Sequence, residues 1–320
     1  MKALTFSKFG GPEVLEYREV PDPVPAPGEA LVRLHAIGLN FADIYRRQGN
    51  YHLTGLPPYI AGYEGAGTVI DANDCAGVSV GARVCFADVA LANAELVLVP
   101  LDRLIPLPDA ISFEMAASVI LQGLTAHYLT TDSYAIRPGD TALVHASAGG
   151  VGQLLVQMIR NRDAQVIALT SSPEKAAQVE ALGASLVLLT GEDWVEPTRR
   201  FTGGRGVDVA YDSVGITLSQ SLAATREGGT LVFFGFAGGN PPLVDPRQLM
   251  DGSKAIRGGD LWSYLKTRED RLTRSAVLFD WIQAAKVRPA RPTLFPLAQG
   301  AEAHAQLESR KTTGKILLIP

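Results

Sequence analysis

Residues Thr141-Ala142-Leu143-Val144-His145-Ala146-Ser147-Ala148-Gly149-Gly150-Val151-Gly152 run an apolar segment straight into a glycine-rich turn, and an apolar helical pattern over 153–160 follows. Glycine lets a backbone approach a pyrophosphate, and a helix N-terminus adds unpaired amides and the positive end of a dipole. Ser147 stands where the G-x-G-x-x-G pattern opens on glycine. Spacing alone therefore also fits a tight structural turn, and the strand–turn–helix setting is what favours dinucleotide binding. Ala148, Gly149, Gly150 and Val151 are the residues placed to meet the phosphates.

The next apolar run, Gln165–Leu169, ends in Thr170-Ser171-Ser172-Pro173-Glu174-Lys175. A carboxylate at the strand end would accept the ribose 2′-hydroxyl of NAD; small hydroxyls stand there instead. Ser171, Ser172 and the Lys175 ammonium suit a 2′-phosphate, so NADPH is the expected cofactor. The plainer alternative for Lys175 is a solvated helical lysine.

Such a turn needs a sheet behind it. From residue 140 onward, strand-like runs at Thr141–His145, Gln165–Leu169, Ser185–Leu189, Val207–Tyr211 and Thr230–Phe234 alternate with helical segments. That interval indicates βαβ units and a doubly wound parallel sheet. Pro173 suits a first helical position and Gly183 a left-handed helix end. A later helix is expected over 274–285, with Arg268–Arg274 as a solvated face. Before residue 118 the texture is of short strands broken by Gly and Pro, and the proline-rich Val20–Gly28 can be neither helix nor central strand. The closing Gly314–Ile319 reads as a strand returning to this first half. The fold class expected is α/β, with a β-rich domain over 1–118 and 288–320 and a Rossmann domain over 119–287.

The 320 residues carry 29 basic and 33 acidic side chains, a net charge of −4 that offers no footprint for nucleic acid or an anionic membrane. No stretch reaches the ~18 apolar residues of a membrane span. Cys75 and Cys85, the two cysteines, supply no disulfide framework and no four-thiolate zinc site, and a cytoplasmic protein is expected. The histidines, His35, His52, His127, His145 and His304, have no metal spacing, and a structural hydrogen bond is the expectation for His145. No Ser-His-Asp arrangement is legible in their order.

Several further segments carry a family resemblance across nearly the whole chain. They are Phe9–Leu15, Ala36–Asp43, Gly62–Gly67, Gln122–Ala126, His145–Gly152, Tyr211–Gly215 and Gly314–Ile316. In this order they resemble the zinc-independent quinone oxidoreductases, the zeta-crystallin-like branch of the medium-chain dehydrogenase/reductase superfamily. The resemblance implies a GroES-like catalytic domain built from both termini, a central Rossmann domain, NADPH as cofactor and a homodimer. Zinc-dependent members place Cys, His and Cys where this chain has Asn40, Tyr63 and Gln122, and amide and phenol groups are poor substitutes for thiolate and imidazole. No zinc is therefore expected.

The matching motif implies that Asn40, Tyr45 and Tyr51 are the catalytic residues and that Thr125 lies beside the nicotinamide. Local readings stay open: Asn40 as a helix cap, Tyr45 as a packing residue, Tyr51 as a loop aromatic, and Tyr63 as a filler of vacated metal space. Thr190 stands where similar reductases can carry a tyrosine near the adenine. Phe234, Gly235 and Phe236 are expected along the nicotinamide pocket, and Lys315 near the pyrophosphate or exposed on its strand. The activity expected is quinone reduction. An enone or alkenal double-bond reductase is the enzymatic alternative, and a non-catalytic NADPH-binding sensor or crystallin-like protein the alternative from another class.

Overall fold

The structure is a computed structural model that describes residues 1–53, 55–73 and 77–320, so Cys75 lies outside the described residues. Its chain divides into two compact units. One comprises Met1–Gln122, Leu265–Gln283 and Pro289–Pro320; the other comprises Gly123–Tyr264 and Ala284–Arg288.

Along the chain, the first unit begins with β1 (Lys2–Phe6), β2 (Glu16–Glu19), β3 (Glu29–Leu39), α1 (Phe41–Arg47), β4 (Tyr59–Ile60), β5 (Glu64–Asp71), β6 (Arg83–Ala87), β7 (Leu96–Pro100) and β8 (Ile105–Pro106). Helix α2 (Phe113–Tyr128) leads into the second unit, whose elements are β9 (Thr141–Val144), α3 (Gly150–Arg160), β10 (Gln165–Thr170), α4 (Pro173–Ala181), β11 (Leu186–Leu189), α5 (Val195–Phe201), β12 (Val207–Asp212), α6 (Leu218–Ala224), β13 (Thr225–Phe233), α7 (Pro246–Asp251) and β14 (Ala255–Gly258). The chain closes with α8 (Arg268–Gln283), β15 (Thr293–Pro296), α9 (Gly300–Glu308) and β16 (Ile316–Ile319).

Strand β3 organises the first unit. It pairs antiparallel with β5, β7 and β16, and its last residues, Ala36–Leu39 among them, lose the alternation of a one-sided strand because both faces are covered. Leu4, Val32, Ile37, Val69, Phe86 and Leu318 are among the side chains of the core that forms around it. Strand β16 returns as expected. Its register sets Ile316 opposite Leu39 and so brings Lys315 to the end of β3, beside Asn40.

In the second unit six parallel strands run β11-β10-β9-β12-β13-β14. Strands β9 and β12 are buried along their whole length; β9 is nearly all apolar, while the carboxylates of β12, Asp208 and Asp212, are held by arginines and hydroxyls. They are neighbours although the chain passes through two other strands between them, which makes the carboxyl end of β9 the topological switch point where ligands bind in such sheets.

Three local readings needed correction. Helix α3 begins at Gly150 rather than 153, so the turn's last glycines are the helix's first turn. Helix α8 begins at Arg268 rather than 274. Thr267 and Asp270 cap it reciprocally, the Thr267 hydroxyl accepting the Asp270 N–H and the Asp270 carboxylate accepting the Thr267 N–H, a start signal hidden among charges read as solvated surface. The helix also belongs to the first unit, against the boundary expected at 287: Arg271 is buried and pairs with Asp88 at 3.4 Å. By contrast Pro173 opens α4 behind its cap Ser172, and Gly183 follows with φ +97°.

Candidate active site

Asn40 ends β3 and caps α1. Its backbone is extended, and the Asp43 carboxylate three residues on accepts the Asn40 N–H at 2.9 Å, the return half of a capping pair. The cap and the polar roles of Asn40 thus coexist. Its side chain is 5% exposed; Nδ2 donates to Glu64 Oε2 at 2.8 Å, while Oδ1 accepts from Lys315 Nζ at 2.7 Å and from Gln122 Nε2 at 3.4 Å.

Glu64 is the hub that sequence reading missed. Fully buried at the start of β5, it takes the Lys315 ammonium on Oε2 at 2.5 Å and the Leu121 N–H on Oε1 at 2.7 Å. Gly38 makes room for it, since a Cβ there would lie 2.1 Å from Glu64 Oε2. Lys315 is 3% exposed, so it is not an exposed strand lysine. Its ammonium is held by Glu64 and Asn40, a geometry that lends no support to the contact expected with a pyrophosphate.

Beyond Asn40, Arg46 is 3% exposed, pairs with Asp43 at 3.3 Å and donates to the His52 carbonyl at 3.0 Å. Burial pushes the Asp43 carboxyl up, against the pull of Arg46. The Arg46 guanidinium lies 3.3 Å from the centre of the Tyr63 ring and 5.1 Å from that of Tyr51, and Tyr51 meets Tyr45 edge-on at 6.3 Å. Tyr51 and Tyr63 therefore share one guanidinium, and Tyr45 adjoins Tyr51.

The donor set here does not fit zinc. Asn40 and Gln122 turn their amides toward each other, and an ammonium already occupies Asn40 Oδ1. A dication would have to displace Lys315 from Glu64 and bind through amide and phenol oxygens.

In the second unit the phosphate turn is well formed. Ala146 takes φ +47°, and the Ser147 hydroxyl lies 2.7 Å from Val144 O and 3.1 Å from Leu169 O, tying together the ends of β9 and β10. That bridging explains a serine where the pattern has glycine. A Cβ on Gly152 would sit 2.3 Å from Ala146 O and 2.7 Å from Ser147 Cα, so α3 packs this close only with glycine there. Gly149 is the extended N-cap, and no acid occupies the first turn. The leading amides of α3, from Gly150 and Val151, have no acceptor within the helix. The arrangement fits a dinucleotide phosphate.

At the end of β10, the Thr170 hydroxyl accepts the Ser172 N–H, and Ser172 Oγ accepts the Lys175 N–H at 3.4 Å. Ser171 is exposed, Lys175 is half-buried with its ammonium depressed by that burial, and the Ser172 hydroxyl holds exposed Glu174 below the usual carboxylate range. Thr190, also exposed, lies alongside through its N–H to Thr170 O at 2.8 Å. Thr125 is buried on α2, and Phe234, Gly235 and Phe236 are half-buried just beyond β13.

His145 does make a structural hydrogen bond, within a network its sequence position concealed. Its Nε2 lies 2.8 Å from Ser221 Oγ, which donates to Asp212 Oδ2 at 2.7 Å. Burial pushes the His145 ring below its ordinary value, against the pull of the Asp212 carboxylate. Burial alone would raise the Asp212 carboxyl, but His145, the Gly215 amide and the Ser221 and Thr217 hydroxyls outweigh it and hold it low. Here the serine stands between histidine and carboxylate and is fully buried, an order that braces β12 against α6 rather than activating a nucleophile.

A GroES-like β unit and a six-stranded Rossmann unit, with two amides and a phenol at the metal positions, define a zinc-free medium-chain dehydrogenase/reductase. Comparison with known proteins agrees: residues 26–133 match the alcohol dehydrogenase GroES-like domain and residues 150–272 the zinc-binding dehydrogenase family. The chain is 40% identical to a quinone oxidoreductase of Pseudomonas aeruginosa, over 100% of this chain and 99% of that protein. It is 35% identical to a 2-haloacrylate reductase of a Burkholderia species, over 99% and 98%. Among solved structures it is similar to Escherichia coli quinone oxidoreductase complexed with NADPH, at TM-score 0.97, 37% identity and 100% coverage of both chains. The chain belongs to the quinone oxidoreductase family of the medium-chain superfamily.

Proposed function

We infer that this protein is an NADPH-dependent, zinc-free oxidoreductase whose acceptors are quinones. When bound, the dinucleotide supplies the hydride. The α3 N-terminus and the Ala148–Val151 turn hold its phosphates, and Ser171, Ser172 and Lys175 take the 2′-phosphate. Thr125, Thr190, Phe234, Gly235 and Phe236 complete that pocket, while Asn40, Tyr45 and Tyr51 serve the acceptor.

The observation that carries the reading is that Asn40, at one of the metal positions, is held by Glu64 and Lys315. With no Lewis acid held there, the acceptor must be activated by its own conjugation, as a quinone is. The same chemistry admits an activated double bond, and the 2-haloacrylate reductase among the relatives favours that second reading. Chelator-treated protein with NADPH, followed by nicotinamide absorbance against no-enzyme blanks, separates the two: faster turnover of 1,4-benzoquinone than of a simple enone supports the quinone reading, and the reverse order the other. NADPH binding without turnover of either supports a cofactor-binding protein. A homodimer, testable by sedimentation, and a cytoplasmic location complete the proposal. The buried free thiol of Cys85 suits a reducing compartment, and among the described residues no helix is long and apolar enough to cross a membrane.

A further inference from the structure

Most polar groups around Asn40 are closed on one another. Both Asn40 side-chain atoms, both Glu64 oxygens, the Lys315 ammonium, Asp43 and Arg46 have partners. Tyr63 Oη, among the described residues, has no hydrogen-bond partner, yet its side chain is only half-buried and the oxygen stays accessible. The ring is nevertheless held. Its backbone carbonyl accepts the Val89 N–H at 3.3 Å, and its face lies 3.3 Å from a buried guanidinium anchored by Asp43 and the His52 carbonyl. A ring oriented by a charged group, with its hydroxyl left to an outside acceptor, is the arrangement of a preorganised donor.

We propose that Tyr63 is a third acceptor-contacting tyrosine, whose phenol donates a hydrogen bond to a carbonyl oxygen of the planar substrate while Arg46 fixes its ring. The proposal rests on the quinone-reducing reading and deepens it. Arg46 is then a positioning residue, since its guanidinium also lies over Tyr51, whose ring meets Tyr45. Burial raises the Tyr63 pKa against the opposing pull of Arg46, which keeps the phenol protonated as a donor at neutral pH. The flat face of a quinone and its electron-rich oxygens match aromatic rings set beside the Tyr63 O–H.

The test is Tyr63→Phe, which keeps the ring on Arg46 and removes the hydroxyl, with Tyr17→Phe at an exposed position as control. Binding of duroquinone to the cofactor-free protein is read by calorimetry and turnover with NADPH separately. Tyr63→Phe is expected to weaken duroquinone binding about three- to tenfold, the range of one neutral hydrogen bond. KM should rise in parallel, kcat should stay within about twofold, and Tyr17→Phe should behave as wild type. Wild-type affinity and KM in folded Tyr63→Phe overturn the proposal. Circular dichroism checks folding, and Tyr63→Met is read by the same criterion if the phenylalanine variant fails to fold. Wild-type protein that neither binds nor reduces duroquinone overturns the quinone reading itself, and this proposal with it.

Discussion

Lys315 places its ammonium 2.5 Å from Glu64 Oε2 although 251 residues separate them, and both side chains are buried. Removing one partner of such a pair leaves an uncompensated charge and costs about 3–5 kcal/mol, whereas replacing both by neutral groups recovers much of the loss. Glu64→Gln and Lys315→Met should therefore each lower the denaturant midpoint strongly, and the double variant should lie above both. Strict additivity in the denaturation curves would show that the pair is not coupled.

The 2′-phosphate assignment separates the two nicotinamide cofactors. Lys175→Ala should weaken NADPH binding by about tenfold or more, the range for a hydrogen bond to a charged group, and leave NADH within about twofold. Equal loss for both, measured by fluorescence titration, would remove Lys175 from the cofactor site.

Gly152→Ala tests the packing of the phosphate turn. A methyl 2.3 Å from Ala146 O cannot be accommodated unless α3 moves from β9. The expected result is a loss of about 1–3 kcal/mol of stability together with weaker binding of either dinucleotide, read by melting with and without NADPH.

His304 predicts a pH dependence of stability. Burial first, then the neighbouring Arg47, pushes its pKa down to about 3 from 6.5. Between those values the unfolded chain binds a proton that the folded chain refuses, so this stability is present above pH 6.5 and drains away as pH falls toward 3, at up to ~1.4 kcal/mol per pH unit. Stability of His304→Gln should depend less steeply on pH between 6 and 4; an unchanged slope in urea titrations would contradict the shift.

Exhaustive chelation should leave quinone turnover intact, because Asn40, Tyr63 and Gln122 make no zinc site and Lys315 already supplies a cation. Activity lost on chelation and restored by zinc would refute that reading.

Much of the molecule is local information and was legible as such. Apolar runs alternating with helices announce the parallel sheet, Pro173 and Gly183 bound α4, and the glycine turn sits where a strand meets a helix. These features depend on neighbours a few positions apart, so sequence suffices for them. Pairings between distant residues were decided by the fold. That Glu64 would take the Lys315 ammonium, that Arg46 would lie over both Tyr51 and Tyr63, and that Asp212, Ser221 and His145 would join follow from strand register and burial. A buried charge must find a compensating partner, and which partner is within reach is set only when β16 returns beside β3 and β12 lies beside β9.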